Sequence, residues 1–160
     1  MKTETYSMWD ALLASPITPM PIAQRRHQLT RMWQGLTALE TAIEPTRDDW
    51  AVCSDAINLM ETLIDGGRVV DTQNLLFDAS QAMAEAGQRS FVGKPIRLSG
   101  VGIQAVRAVL EDYAMALEEL PARTMIHCHR LTEQRLRKIL AGHPQAHDIQ
   151  LTKETHDTRK

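Results

Sequence analysis

Hydrophobic side chains recur every three or four positions along most of this chain, which is the spacing of one face of an α-helix. One such stripe runs from position 22 to about position 43, and Pro45 closes the helix. Its members are Leu29, Met32, Trp33, Leu36, Leu39 and Ile43. No stretch alternates hydrophobic and polar residues for long enough to build a sheet, and no internal repeat has a fixed period. The pattern therefore predicts an all-α fold.

A second long helix is predicted after Thr46, which is a suitable N-cap and precedes the acidic residues Asp48 and Asp49. The glycines at positions 66 and 67 end it. Its apolar arc comprises Trp50, Cys53, Ala56, Ile57, Met60, Leu63 and Ile64. Because this arc is wider than one neighbouring helix would cover, it favours self-association as a homodimer.

A third helix is predicted to begin after Asp71 or Thr72 and to end near Gly87 or Gly93. It contains several alanines, so a neighbouring helix can approach it closely. The segment 94–98 that follows is the one place where the chain could be extended.

Ser99 is the predicted cap of a fourth helix, and Pro121 separates that helix from a fifth that runs to about Ala141. Residues 22–142 are therefore expected to form a single-domain bundle of about five main helices. The polar tail, 143–160, has too few apolar groups to offset the entropy lost on ordering and is predicted to be flexible.

Ser7 and Asp10 have the spacing of a capping pair and predict a short N-terminal helix. Its large apolar side chains, which fall on one side, are Met8, Trp9, Leu12 and Leu13. The prolines from Pro16 to Pro21 cannot continue a helix, so residues 1–21 form an amphipathic helix and a stiff connector. Such a helix can dock into a groove of another protein, exchange between protomers or cover its own bundle.

The chain has 160 residues, 43% hydrophobic and 24% charged, which is typical of one globular domain. Its formal net charge of -2 removes the whole-chain argument for a dedicated nucleic-acid binder. The N-terminus lacks the continuous apolar centre of a secretory signal, and no stretch has the roughly 18 apolar residues of a membrane span. Cys53 and Cys128 lie far apart, which suits buried thiols. We expect a cytoplasmic protein without membrane association.

Three arginines of the fifth predicted helix, Arg123, Arg130 and Arg137, are spaced by sevens and therefore lie nearly in line. Together with His127, Gln134 and Lys138 they form what we call the basic ridge. Arg130 and Arg137 are expected to point away from the apolar face of their helix. The ridge can meet an acidic protein surface or follow a phosphate backbone.

Two interpretations of the basic ridge involve no partner molecule. The ridge is either a solvated helix face or is paired with the acidic side chains of the fourth helix. Those side chains are Glu111, Asp112, Glu118 and Glu119. The junction at Pro121 lacks the turn glycine common in DNA-reading helix-turn-helix units, so DNA reading is the weaker functional interpretation.

His127, Cys128 and His129 resemble a metal-binding group in composition only, because adjacent helical positions project in different directions. We therefore predict neither a metal nor another cofactor. His129 lies on the apolar side with Glu133 one turn ahead, as expected of a half-buried histidine. An enzyme would have to use His129, Glu133 and Tyr113, but no recognisable spacing links a nucleophile, a base and a group that orients the base. No catalytic residue is predicted.

Lys94, Arg97, Ser99 and Gly100 form a weak candidate for anion binding, because two cations precede a glycine-rich helix start. The segment is not a phosphate loop of the Walker type, since its lysine is not followed by Ser or Thr. An irregular turn that needs glycine explains the same residues.

Four stretches resemble small helical accessory proteins carried by proteobacterial phages and other mobile elements. They are 1–16 (MKTETYSMWDALLASP), 29–40 (LTRMWQGLTALE), 99–113 (SGVGIQAVRAVLEDY) and 128–136 (CHRLTEQRL). That family has no assigned activity and no defined catalytic residues, so the resemblance implies only that the protein binds a host or element-encoded macromolecule. We therefore predict a non-enzymatic protein that binds another protein. The alternative is a nucleic-acid-binding regulatory module that uses the basic ridge.

Overall fold

The fold is a helical bundle, seen in a computed structural model that describes residues 4–142. Its helices are α1 (Met8–Leu13), α2 (Ile22–Thr41), α3 (Arg47–Asp65), α4 (Leu76–Phe91), α5 (Gly100–Glu119) and α6 (Ala122–Leu140). No strand occurs within the described range, which confirms the prediction of an all-α bundle with five main helices and a short N-terminal one. The tail predicted to be flexible, 143–160, lies outside that range. None of the helices is both long and apolar enough to cross a membrane.

Side-chain caps start three helices where the sequence predicts them. At α1 the Ser7 backbone N–H donates to the Asp10 carboxylate over 2.7 Å, and the Ser7 hydroxyl accepts in return. Thr46 and Asp49 form the same reciprocal pair at α3, with a backbone bond of 2.8 Å. Ser99 accepts a backbone hydrogen bond of 3.0 Å at the start of α5. These caps satisfy N–H groups that a helix start leaves without partners.

Helix α4 begins later than the sequence predicts. Asp71 still serves this helix, because its carboxylate accepts a hydrogen bond from the backbone N–H of Leu76 over 3.2 Å. Asn74 lies between them with a φ of 52°, a left-handed conformation that an α-helix cannot contain. The helix then continues through Gly87 and ends at Phe91.

The central helix is α3, which packs against α2, α4, α5 and α6. Its fully buried side chains include Cys53, Ile57, Leu59, Met60 and Leu63. The wide apolar arc that was expected to need a second chain is therefore covered by helices of the same chain. This removes one of the two sequence arguments for a homodimer.

The indole of Trp50 on α3 lies directly against the backbone of α4. A Cβ atom on Gly87 would be 2.8 Å from Cζ2 of Trp50, so only glycine fits without displacing the ring. The indole N–H donates a hydrogen bond of 2.6 Å to the carbonyl of Met83. This close approach explains a glycine inside a helix, where it costs about 1 kcal/mol relative to alanine.

Helix α6 packs against α3 and α1, not against α5, which precedes it in the chain. Its contact with α3 includes the ion pair of Arg135 with the buried Glu61, at 2.9 Å. The expected pairing of the basic ridge with the acidic residues of α5 is therefore wrong, because the two helices are not packed side by side.

Candidate protein-binding surface

The connector after α1 caps the start of α6. Pro121 occupies the N-cap position of α6 and makes no side-chain capping bond. Instead, the backbone N–H of Ala122 donates to the carbonyl of Thr18 over 2.8 Å, and that of Arg123 donates to the carbonyl of Ser15 over 3.0 Å. The connector thus satisfies two N–H groups of the first turn of α6 and fixes α1 beside it.

The side chain of Arg123 binds the end of α1. Its Nη2 donates to the carbonyl of Leu12 over 2.9 Å and its Nε donates to the carbonyl of Ala14 over 3.2 Å. The last carbonyls of a helix lack intrahelical partners and carry the negative end of the helix dipole, so a cation is favourable there. One arginine of the basic ridge therefore has a partner within the chain.

The residues before α1 bind further along α6. Arg137 Nη1 forms an ion pair with Glu4 at 2.9 Å. The backbone N–H of Thr5 donates to Oε1 of Glu133 over 3.1 Å, and the Thr5 hydroxyl donates to the same carboxylate. A second ridge arginine is therefore engaged by the N-terminal segment.

Tyr6 joins α2 to α6. Its hydroxyl accepts hydrogen bonds from the side-chain amides of Gln24 at 2.8 Å and Gln28 at 3.2 Å, and its ring meets the ring of His129 edge-on, with centroids 5.3 Å apart. Burial lowers the pKa of His129, while the nearby carboxylate of Glu133 opposes that shift, so the imidazole is neutral at pH 7. His129 is the largely buried histidine that the sequence predicts.

The large side chains of α1 face away from the bundle. None of the residues of α1 is buried. Trp9 is 71% exposed and Leu13 is 83% exposed, and Met8 and Leu12 are also mostly in solvent. We call these four residues the α1 apolar face. The helix lies on its own bundle, as the sequence analysis favoured, but it does so without covering these side chains.

A groove of about 560 Å³ lies beside this face, between α1 and α6. It is lined by Met8, Ala11, Leu12, Pro16, Arg68, Arg123, Thr124, His127, Arg130, Leu131 and Gln134. The lining carries three guanidinium groups and no carboxylate among the described residues. We call it the α1–α6 groove. The lining combines apolar side chains with cationic ones.

Only some residues of the basic ridge line the groove. Arg123, His127, Arg130 and Gln134 line it, whereas Arg137 pairs with Glu4, and Lys138 is exposed away from it. Arg130 is half-buried where it lines the groove.

Arg68 joins the ridge residues in the groove, although the sequence analysis did not select it. It follows the two glycines that end α3 and is distant from α6 in sequence. A lone arginine after a helix end gives no signal of its own in the sequence, so only the packing of α6 against α3 brings it into the site.

The His127, Cys128 and His129 side chains diverge as the helix geometry predicts. His127 is exposed, Cys128 is buried and His129 meets Tyr6. Burial raises the pKa of the Cys128 thiol. No group of three His, Cys, Asp or Glu side chains in the described part of the chain is placed to hold a metal ion.

A second cavity, of about 390 Å³, lies between α2 and α3 and is lined by both His129 and Tyr113. Burial raises the pKa of Tyr113 well above its usual value. Glu133, the third residue of the enzyme interpretation, does not line this cavity and instead accepts hydrogen bonds from Thr5. The structure thus brings together two of the three residues in this cavity.

The residues of the anion candidate have separate structural contacts. Ser99 caps its own helix, and Arg97 donates to the carbonyl of Ile43 over 3.1 Å. Lys94 and Gly100 are exposed, and Gly93 before them has a φ of 70°, as the turn interpretation requires. Anion binding at this corner stays a prediction.

No protein-family model, curated protein or solved structure matches this chain. The argument for function therefore rests on the α1 apolar face and the α1–α6 groove.

Proposed function

We propose that this protein is a non-enzymatic accessory protein, encoded by a phage or mobile element, that binds another protein through the α1 apolar face and the α1–α6 groove. The observation that carries the proposal is the position of α1. Hydrogen bonds from Arg123 hold the helix against α6, while Trp9, Leu12 and Leu13 remain exposed beside a groove. A fixed helix that presents adjacent large apolar side chains to solvent is typical of a protein interaction site.

The chemistry of the surface favours a protein over a nucleic acid. A phosphate backbone needs several free cations in a row. Two of the three ridge arginines are instead engaged within the chain, since Arg123 binds backbone carbonyls and Arg137 pairs with Glu4. Burial of the exposed apolar area beside them by a protein would contribute a favourable free energy of about 25 cal/mol per Å². A phosphate backbone offers little apolar surface with which to bury this area.

An amphipathic helix is the form of partner that fits best. Helix-in-groove recognition pairs apolar anchors spaced by three and four residues with apolar side chains of a groove, and here Met8, Leu12 and Leu131 are among the lining residues. Charge on the partner should be negative, because the groove is lined by Arg68, Arg123 and Arg130. We expect the interaction to occur in the cytoplasm, which fits the buried free thiols of Cys53 and Cys128.

Partner capture with matched variants tests the proposal. The double variant Trp9→Ser/Leu13→Ser removes two exposed apolar side chains from the α1 apolar face. The control Phe77→Ser removes a side chain of α4 that is 72% exposed and lies outside both α1 and the groove. We expect recovery of a specific protein from the native host to fall by about tenfold for the double variant, equivalent to about 1.4 kcal/mol, and to be unchanged for the control.

If the natural protein, the double variant and the control recover the partner equally, the interface lies elsewhere and the proposal is contradicted. A nucleic-acid partner would give two results. Log affinity would fall linearly with log salt concentration, and the Trp9→Ser/Leu13→Ser change would leave the affinity unaltered.

A further inference from the structure

One nitrogen of Arg130 lacks a partner at the bottom of the α1–α6 groove. Its Nη1 is buried and makes no hydrogen bond to any described residue. A buried charged N–H without an acceptor costs free energy, and native structures usually satisfy such a group with protein, water or an ion. Arg130 lines the groove, so a ligand in the groove would lie beside this side chain.

The charges around Arg130 leave this position open to an anion. Arg68 and Arg123 line the same groove and add to the positive potential. The negative charge that the structure places near Arg130 is the Asp10 carboxylate. That carboxylate is already bonded to the backbone N–H and hydroxyl of Ser7, at 2.7 and 2.8 Å, and forms no ion pair with Arg130 among the described residues. These bonds with Ser7 are the main reason that the pKa of Asp10 is lowered, and Arg130 contributes less.

We infer that Arg130, flanked by Arg68 and Arg123, forms an oxyanion site that receives the carboxylate side chain of an Asp or Glu of the partner. This inference rests on the proposed function and specifies its partner. A guanidinium group binds a planar carboxylate through parallel N–H bonds, which supplies both attraction and orientation.

The apolar side chains of the groove select one class of occupant. Leu12 and Leu131 line the groove together with the three arginines. A ligand that satisfies both kinds of side chain carries an acidic residue next to an apolar stripe, as an acidic amphipathic helix does. A row of nucleic-acid phosphates would find no continuous row of open arginines along α6, because the ridge arginines before and after Arg130 are engaged with the N-terminal segment.

The first arm of the test uses a free carboxylate and does not depend on any protein partner. Sodium acetate is titrated at constant ionic strength against sodium chloride, and the backbone amide NMR signals of the groove residues Thr124 and Gln134 are followed. We expect a saturable shift for the natural protein, and loss of that shift for Arg130→Gln. Arg26→Gln is the control, because it removes an exposed arginine of α2 that does not line the groove. Arg68→Gln provides a second groove variant on an exposed side chain, in case Arg130→Gln perturbs folding.

The second arm compares two synthetic amphipathic peptides that differ only in Glu or Gln beside the apolar stripe. A charge-assisted hydrogen bond contributes about 1.5–3 kcal/mol, so we expect the Glu peptide to bind the natural protein at least about tenfold more tightly. That preference should fall to within about twofold for Arg130→Gln and weaken for Arg68→Gln.

The two arms separate the site from the proposed function. An acetate response without binding of either peptide supports the oxyanion site and contradicts the proposed partner class. Equal binding of both peptides with no acetate response supports protein binding and overturns the oxyanion site. Binding of duplex DNA that weakens equally for Arg130→Gln and Lys138→Gln overturns the assignment to a carboxylate.

Discussion

The hydroxyl oxygens of Thr62 and Thr132 lie 2.6 Å apart in the buried contact between α3 and α6. Each hydroxyl also has a backbone acceptor one turn earlier, the carbonyl of Cys128 at 2.8 Å for Thr132 and the carbonyl of Asn58 at 3.3 Å for Thr62. Arg135 in turn donates to the Thr62 hydroxyl over 3.2 Å. This chain of donors and acceptors fixes the register of α6 on α3, because sliding the helix would leave several buried polar groups without partners.

Thr132→Val should therefore lower the free energy of unfolding by about 1–3 kcal/mol, because the Thr62 hydroxyl and the carbonyl of Cys128 each lose a buried hydrogen-bond partner. Urea denaturation measures the change. Thr37→Val is a matched control, because Thr37 is exposed and its hydroxyl also bonds a carbonyl of the preceding turn, at 2.8 Å. The control should change stability by less than about 0.5 kcal/mol. If Thr132→Val and Thr37→Val lower the free energy of unfolding equally, the buried contact contributes nothing to stability.

Gly87→Ala should destabilise the protein although alanine favours helix. The new Cβ would lie 2.8 Å from the Trp50 ring, so the indole must move and its hydrogen bond to Met83 is strained. Overpacking of this kind costs about 1–3 kcal/mol, which outweighs a propensity gain of about 1 kcal/mol. Gly100→Ala, where nothing lies within 4 Å of the new Cβ, should be neutral or stabilising. Denaturation and tryptophan fluorescence follow both variants, and a stabilised Gly87→Ala protein would contradict the packing argument.

Arg123→Gln should loosen α1 from α6, because the glutamine is too short to reach the carbonyls of both Leu12 and Ala14. We expect amide hydrogen exchange to accelerate across 8–14, with little change in α3. Global stability should fall by no more than about 1 kcal/mol, because Arg123 is exposed. Arg137→Gln, which breaks the exposed pair with Glu4, is the comparison and should affect exchange in 8–14 less. If amide hydrogen exchange across 8–14 is unchanged in Arg123→Gln, the connector alone holds α1 against α6.

Stability should decline as the pH falls below about 6.5 because of His129. Burial lowers its folded-state pKa below the ordinary value of 6.5, with partial opposition from Glu133 and Asp55. The unfolded chain therefore binds a proton at a higher pH than the folded chain does, so this contribution is complete above 6.5 and is lost as the pH drops through the folded-state value. His129→Gln should flatten the profile between pH 7.5 and 5.5, and His127→Gln, at an exposed position, should not. Identical profiles for both variants would exclude His129 as the source.

Self-association through the α1 apolar face remains expected, because Trp9 and Leu13 are exposed even though α3 needs no second chain. Light scattering over a wide concentration range should show a homodimer that the Trp9→Ser/Leu13→Ser change dissociates. If the protein is a monomer at every concentration, this face does not mediate self-association and is available only to a different protein.

Local signals in the sequence predict the helices well. The pairs Ser7–Asp10 and Thr46–Asp49 lie three residues apart, so helix geometry alone determines that they meet. The start of α4 was misplaced because the left-handed conformation of Asn74 depends on the path of the chain around it.

The site was only partly predictable. The seven-residue spacing places Arg123 and Arg130 on the same side of α6, and both line the groove. The sequence could not show that the partners of Arg123 and Arg137 are in the N-terminal segment, since those contacts span more than a hundred residues. Arg68 was missed because only the packing of α6 against α3 brings it to the groove.

The contact between Arg123 and Leu12, which joins residues 111 positions apart, has a consequence for the newly made chain. At about 5–20 residues per second, a ribosome adds Arg123 on the order of 5–20 s after Leu12. During that interval the backbone of the N-terminal helix has no α6 to bind, and its tryptophan and leucines are open to chaperones and to other nascent chains. Helix α6, the last of the described helices to be synthesised, therefore fastens α1, the first of them.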